Sequence, residues 1–285
     1  VAASLFVYTR RKDDPKQTLW LLSGAAFVSI IGFVGAPSVF GGDASTMVSD
    51  RMTRGHIVWI SLPMLTLATA PVAREVSRQW TKGKRKQMLL RIPLGAHVVH
   101  LGLLLLLLGH LSTTVLVDRG DASHRLSLVK NEVIVHEGMG FEFTELVLES
   151  DDLEVGDGFI GVRIDVYTME GSEVGDLIGT VTPGTLRFDS QGMPRSEVAT
   201  LTRLTGDIVF IFDGSQAGAL MSSSNGGDLE TIELVRVTVY DLPHSHLVWL
   251  GWGMMMAGMA LVAFAGAKKG TLSNELKTRS LAEEE

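Results

Sequence analysis

Three histidines, His97, His100 and His110, interrupt a stretch from Ile92 to Leu116 that holds no Asp, Glu, Lys or Arg. An imidazole nitrogen in hydrocarbon costs free energy unless it bonds protein, water or a metal. Neutral imidazoles from different helices can also hold a haem iron inside a helix bundle, which is the first chemistry these residues could perform. Depth sorts them. His97 and His100 lie within about one turn of each other, whereas His110 is ten residues beyond His100, about 15 Å along a helix axis. One iron cannot use both levels. His100 and His110 differ by about 80° around the helix, so both can face the same neighbours. At the outer level His56, His110, His244 and His246 fall near the ends of three different apolar segments. The alternative is structural: His110 bonds a backbone carbonyl, while His56, His244 and His246 are interfacial and meet water.

No other constellation competes. The chain has no cysteine, which removes thiol catalysis, thiolate metal sites and internal disulfides. No G-x-S-x-G is present, and Ser222 to Asp228, SSSNGGD, is not followed by the Gly-Lys-Ser/Thr of a phosphate loop. Asp151 and Asp152 read as a solvated turn, and His124 and His136 as surface residues at strand ends. Catalytic side chains are therefore not assigned, and no metal other than haem iron is expected.

The elements that must position the histidines are legible in the charge pattern. From Val117 to Ser245 there are 23 acidic residues against 8 Lys plus Arg, a net of −15; the rest carries 9 against 17, a net of +8. An acidic module lacks the basic surface that nucleic-acid binding requires. The remainder reads as a membrane portion with basic flanks. Residues 1–8 are apolar but too short to span and read as the end of a preceding helix. Spans follow at about 19–39, 57–72 and 92–116, and a last one at 246–265 leads to a tail at 266–285. Arg10, Arg11, Lys12 and Lys16 precede the first full span, Arg74 to Arg91 holds seven basic residues before the third, and Lys268 and Lys269 follow the last. Under the positive-inside rule these loops are cytoplasmic, which puts residues 117–245 outside the cytoplasm. Trp249 and Trp252 suit the outer interface of the last span, and Gly251, Gly253 and Gly258 suit close helix approach. The adjacent Met run suits lipid or helix packing rather than copper.

The exterior segment reads as β. In GVRIDVY, Val162, Ile164 and Val166 alternate with Arg163 and Asp165. Further strands are expected at Leu126–Val135, Gly140–Leu148, Leu177–Val181, Glu197–Leu204, Asp207–Phe212 and Ile232–Tyr240, with no helix among them. Short strands divided by Gly, Asn, Asp and Ser clusters predict a small sandwich or barrel. The fold class is thus membrane α-helical, with about four transmembrane helices, plus one extracytoplasmic all-β domain.

Four stretches in order resemble the C-terminal portion of the CcmF family, the membrane haem-lyase component of cytochrome c maturation. AHVVHLGLLLLLLG, with His100-Leu101-Gly102 and Gly109, is similar to that family's A-H-L-G helix. HRLSLVKNEVIVHEGMGFEFTEL matches the opening of its exterior β-domain, anchored on Gly138 and Phe141. FDSQGMPRSEVA, Phe188 to Ala199, resembles its Q-x-M-P-x-T/S-E-A segment. VYDLPHSHLVWLGWGMMMAG, Val239 to Gly258, resembles its closing P-x-x-x-W-x-W-x-G helix, with His246 and Leu250 departing from the usual residues. The resemblance runs from about Leu94 to Ala265.

It implies a subunit that handles haem b and helps attach it to apocytochrome c on the outer face of the membrane. No WWD sequence occurs here, so the implied form is a split or truncated one. The implied partners are an N-terminal-half CcmF-like subunit carrying the WWD segment, a haem carrier protein, apocytochrome c and membrane lipid. Motif matching favours His100 as haem ligand; depth favours His110, although the family usually has an apolar residue there. His97, His56 and His246 rank below both. The competing reading is a membrane-anchored scaffold with an exterior β-domain and structural histidines; a third is an accessory subunit of a sensor or transporter.

Overall fold

The computed structural model describes residues 2–9, 15–35, 38–85, 92–120, 122–149, 157–188, 195–220 and 232–282. Arg10 to Lys12, Lys86, Arg91, the Asp151–Asp152 turn, residues 189–194 of the Q-x-M-P stretch and the Ser222–Asp228 loop lie outside them. The chain divides into two compact units, Val1–Val117 with His244–Glu285, and Asp118–Pro243.

The first unit is helical: α1 (Ala2–Thr9), α2 (Pro15–Gly35), α3 (Arg54–Arg85), α4 (Ile92–His110) and α5 (Ser245–Ala282). Among the described residues, four segments are long and apolar enough to cross a membrane: Pro15–Gly35, Arg54–Thr81, Leu94–Val115 and Ser245–Phe264. Two helices run well past the apolar segments that mark them in the sequence. α3 continues beyond Val72 because Glu75 accepts from both Arg78 (2.8 Å) and Gln79 (2.7 Å), so the charged turn supports itself. α5 continues beyond Ala265 to Ala282. α4 ends at His110 and gives way to a π-helical turn, Leu111–Val115.

Packing in this unit has two parts. Phe6 of α1, Leu65, Ala68 and Val72 of α3, and Leu104 of α4 form a buried apolar cluster with Leu111. On another face of α4, Gly95, Gly102 and Gly109 meet α5 backbone to backbone. A Cβ added at Gly102 would stand 2.6 Å from the Gly251 carbonyl oxygen, and one at Gly251 would stand 2.5 Å from that of Gly102. Gly95 and Gly258 oppose each other in the same way. Seven-residue spacing keeps such glycines on one helix face, so the two helices approach closely along a stripe. Gly253 takes no part, since a Cβ there would meet nothing. The outer face of α5 leaves Trp249, Leu250, Trp252, Met256, Met259 and Phe264 exposed.

The second unit is a β-domain with ten strands among the described residues: β3 (Arg125–Val129), β4 (Val133–His136), β5 (Met139–Glu149), β6 (Asp157–Glu170), β7 (Glu173–Val181), β8 (Gly184–Phe188), β9 (Arg195–Glu197), β10 (Ala199–Arg203), β11 (Gly206–Phe212) and β12 (Leu234–Pro243). β1 (Met47–Ser49) and β2 (Met52–Thr53) form a small ribbon in the helical unit. One sheet has the order β10-β11-β12-β3; the other is β4-β5-β6-β8-β9, with β7 also on β6. Both curl around one core that includes Phe141, Phe143, Ile164, Phe210, Phe212 and Val237.

One place where the sequence reads as one strand is a corner. Leu126–Val135 is β3 and β4, split at Lys130 to Glu132, where Asn131 has a left-handed φ of 59° and its N–H donates to the Phe143 carbonyl. Asn tolerates that conformation because its short side chain can bond locally. The strand expected at Glu197–Leu204 is β10, and only its first residue, Glu197, belongs to β9 in the other sheet. The alternation of GVRIDVY is realised as expected, with Val162, Ile164 and Val166 fully buried and Arg163 exposed. Residues 217–220 are helical, however, and Ala217 and Leu220 join the core.

Candidate functional site

α4 is the element that carries the most polar chemistry in an apolar setting. Taking Gly102 as the centre of the face against α5, His97 and His100 lie about 140° and 160° around the helix, while His110 is about 80° away. Leu104, at about 160°, is buried in the cluster with α1 and α3. His97 and His100 therefore point to the side that α3 occupies. The close packing of α4 on α5 and the direction of these two rings have one cause, the glycine stripe.

The two rings stand 6.3 Å apart, edge to face, and both are half-buried. The Nδ1 of His100 is buried and meets no hydrogen-bond partner among the described residues. His97 lies within electrostatic reach of Glu75 on α3. Glu75 is not singled out by the sequence, because a carboxylate held by Arg78 and Gln79 beyond the uncharged part of a span looks there like an ordinary flank. Side chains one turn apart on one helix leave no room for a porphyrin between them. An iron held here would not be clamped from both faces by His97 and His100.

Among the described residues, no three of the outer-level histidines bring ring nitrogens within 4.8 Å of one another. His110 is exposed at the last position of α4, directly before the π turn. That turn is pinned by Arg54, whose Nη1 donates to the carbonyls of Val115 (3.1 Å), Thr114 (3.4 Å) and Val117 (3.4 Å). His56 is engaged as a helix cap. Its Nδ1 accepts from the Thr53 N–H at 2.8 Å, the reach-back from the third helical residue that closes an N-terminus. Because an amide can only donate, that nitrogen is the bare one, and the ring proton of neutral His56 sits on Nε2. The ring also packs on Phe33 at 4.4 Å. Such an imidazole offers no lone pair to iron while the cap is formed. His246 is exposed at the second residue of α5, after His244, whose φ of 61° makes the turn out of β12.

In the β-domain, His124 departs from its reading as a surface residue. It is 3% exposed, in a 3-10 turn (Ala122–His124), and its ring lies 6.1 Å from that of His136. Sequence spacing could not show this, because the two are joined only through the corner between the sheets.

For the described residues, the donor set suits haem in type. His100 is a half-buried imidazole in an apolar span with an orphaned buried nitrogen, and an axial ligand would use such a ring.

No protein-family model and no curated protein sequence matches the chain. Its structure is similar to a solved structure of cytochrome c heme lyase CcmF, with a TM-score of 0.51 and 14% sequence identity. The likeness covers 88% of this chain and 35% of that one, so the chain spans about a third of the length of the structure it matches. At that identity the shared property is the fold.

Proposed function

We propose that this protein is a membrane subunit of a haem-lyase complex that holds haem b and presents it for attachment to apocytochrome c outside the cytoplasm. The observation that carries the reading is His100: an imidazole whose buried Nδ1 meets no partner among the described residues, in a His-Leu-Gly motif, on the central helix of a fold similar to that of CcmF. Positive-inside charge supports four crossings at the helices described, with the acidic β-domain on the outer side.

In this reading His100 would hold the haem iron, and a partner chain carrying the WWD segment would complete the site. The haem, when bound, supplies the vinyl groups that become thioether-linked to the cytochrome's cysteines. This chain's residues position and ligate: the α4–α5 glycine stripe fixes the direction of His100, and Glu75 holds negative charge near His97. A haem carrier on the outer face and membrane lipid complete the implied partners. His110 is kept as the alternative ligand, for haem presented at the outer level.

Coexpression with the adjacent multi-span gene product, purification, and haem spectra of wild type, His100→Ala and His110→Ala test this. The expected result is haem in the wild-type complex, with loss or a changed axial-ligand spectrum in His100→Ala only. Unchanged spectra in both variants would remove the ligand assignment. A complex without haem would favour the membrane-anchored scaffold.

A further inference from the structure

A second histidine constellation lies within the β-domain, apart from the helices that carry the haem reading. His124 ends the 3-10 turn that leads into β3 of one sheet. His136 ends β4 of the other, and Glu137 follows it in the hairpin turn. One ligand atom from each of the three lies within 4.8 Å of the others. Each position has a local cause. The hairpin closes through the pair His136 and Met139, leaving two turn residues, Glu137 and Gly138, with φ of 49° and 76°. Positive φ at both positions is the turn geometry that matches strand twist, and it sets Glu137 beside His136. On the opposite side, the His124 ring packs against Tyr240 at 5.1 Å, and the Tyr240 hydroxyl donates to the Arg119 carbonyl at 2.8 Å. The His136 Nε2 is buried and meets no hydrogen-bond partner among the described residues. A buried imidazole nitrogen in that position costs free energy unless a further group fills it.

From this juxtaposition we infer that His124, His136 and Glu137 form a site for a divalent transition-metal ion of the zinc class. Two imidazoles and one carboxylate are the ligand type of a three-residue zinc site with a fourth position open to water or a partner's side chain. Calcium and magnesium are excluded by preference, since both take oxygen ligands. Ligand distances of 2.0–2.1 Å place tetrahedral donor atoms about 3.4 Å apart, so donors no more than 4.8 Å apart need close in by at most about 1.4 Å. Glu137 is exposed at a hairpin tip and can rotate to do so. Because β3 and β4 belong to different sheets, the ion would tie the two sheets together at the corner where Asn131 turns the chain.

The test is a zinc titration of the full chain, purified in detergent without added haem, in competition with a chromogenic chelator. Wild type, His136→Asn and Glu137→Gln are compared, and the last two substitute partly or fully exposed residues so that His124 stays in place. One zinc per chain is expected, with affinity lowered at least about tenfold in each variant. Co²⁺ at the same site should give the visible absorption of tetrahedral coordination, and Mg²⁺ or Ca²⁺ should not compete. Far-UV circular dichroism matching wild type shows that the variants are folded. Absence of micromolar zinc binding in wild type would overturn the site. So would unchanged affinity in both folded variants, which would move the ion to the histidines of the helical unit.

Discussion

At the scale of single residues, what a polar side chain does here depends on its partner rather than its type. His56 and His100 are both half-buried histidines of the helical unit. One is tied up by the Thr53 amide and closes a helix start; the other has a buried nitrogen that meets no hydrogen-bond partner among the described residues. Tyr167 shows the same dependence in the β-domain. Its hydroxyl donates to Glu142 at 2.9 Å, and that hydrogen bond, with smaller help from burial and from the carboxylate charges of Glu142 and Asp165, pushes its pKa up to about 12. An ordinary phenol titrates near ~10. The neutral form is favoured by folding, so the contribution is fully present below about pH 10 and is lost as pH rises towards the folded value. The alkaline phenolate absorbance of wild type should include a late-titrating component from Tyr167, and Glu142→Gln should bring it back towards the ordinary range. An unmoved titration would mean that the Glu142 contact does not hold in solution.

At the scale of elements, the α4–α5 pair is the feature on which the candidate haem site depends. Gly102 and Gly251 leave no space for a side chain, whereas Gly253 on the same helix faces open space. Gly102→Val and Gly251→Val should therefore separate the helices, costing about 1–3 kcal/mol through overpacking, while Gly253→Ala should be tolerated. Thermal unfolding in detergent separates the two outcomes, and a haem spectrum on the same samples should report His100 displaced in the first two. The sequence marked Gly251, Gly253 and Gly258 alike, because three glycines in a span carry no sign of which face they occupy. The opposing Gly95, Gly102 and Gly109 are what select two of them. The β-elements behave similarly. Alternation was sufficient to find the middle of β6, but the corner inside Leu126–Val135 was hidden, since a strand that changes sheets keeps its apolar residues inward throughout.

At the scale of the whole molecule, the chain is two units with separate cores. The β-domain is entered at Asp118 and left at Pro243, and its core contains Phe141, Phe143, Phe210 and Phe212, each nearly or fully buried. A segment of residues 118–243 should express as a folded soluble domain with a cooperative unfolding transition. Phe210→Ala should lower its stability by about 3–5 kcal/mol, read from the denaturant midpoint. A segment without a cooperative transition would show that this core depends on the helices.

Local chemistry made much of this visible from the sequence alone. Uninterrupted apolar length marks the four candidate spans, basic flanks suggest their direction, strict alternation marks strands, and the order of four short motifs led to a fold that the likeness to CcmF supports. These are properties of neighbouring residues along the chain, and short-range periodicity records them. Tertiary structure decided which glycines touch, that Glu75 lies near His97, that the His56 ring is used as a cap, and that His124 and His136 meet. Those are encounters between residues separated by a helix, a hairpin or a sheet corner. Their cause is packing geometry, which leaves no periodic trace in the sequence.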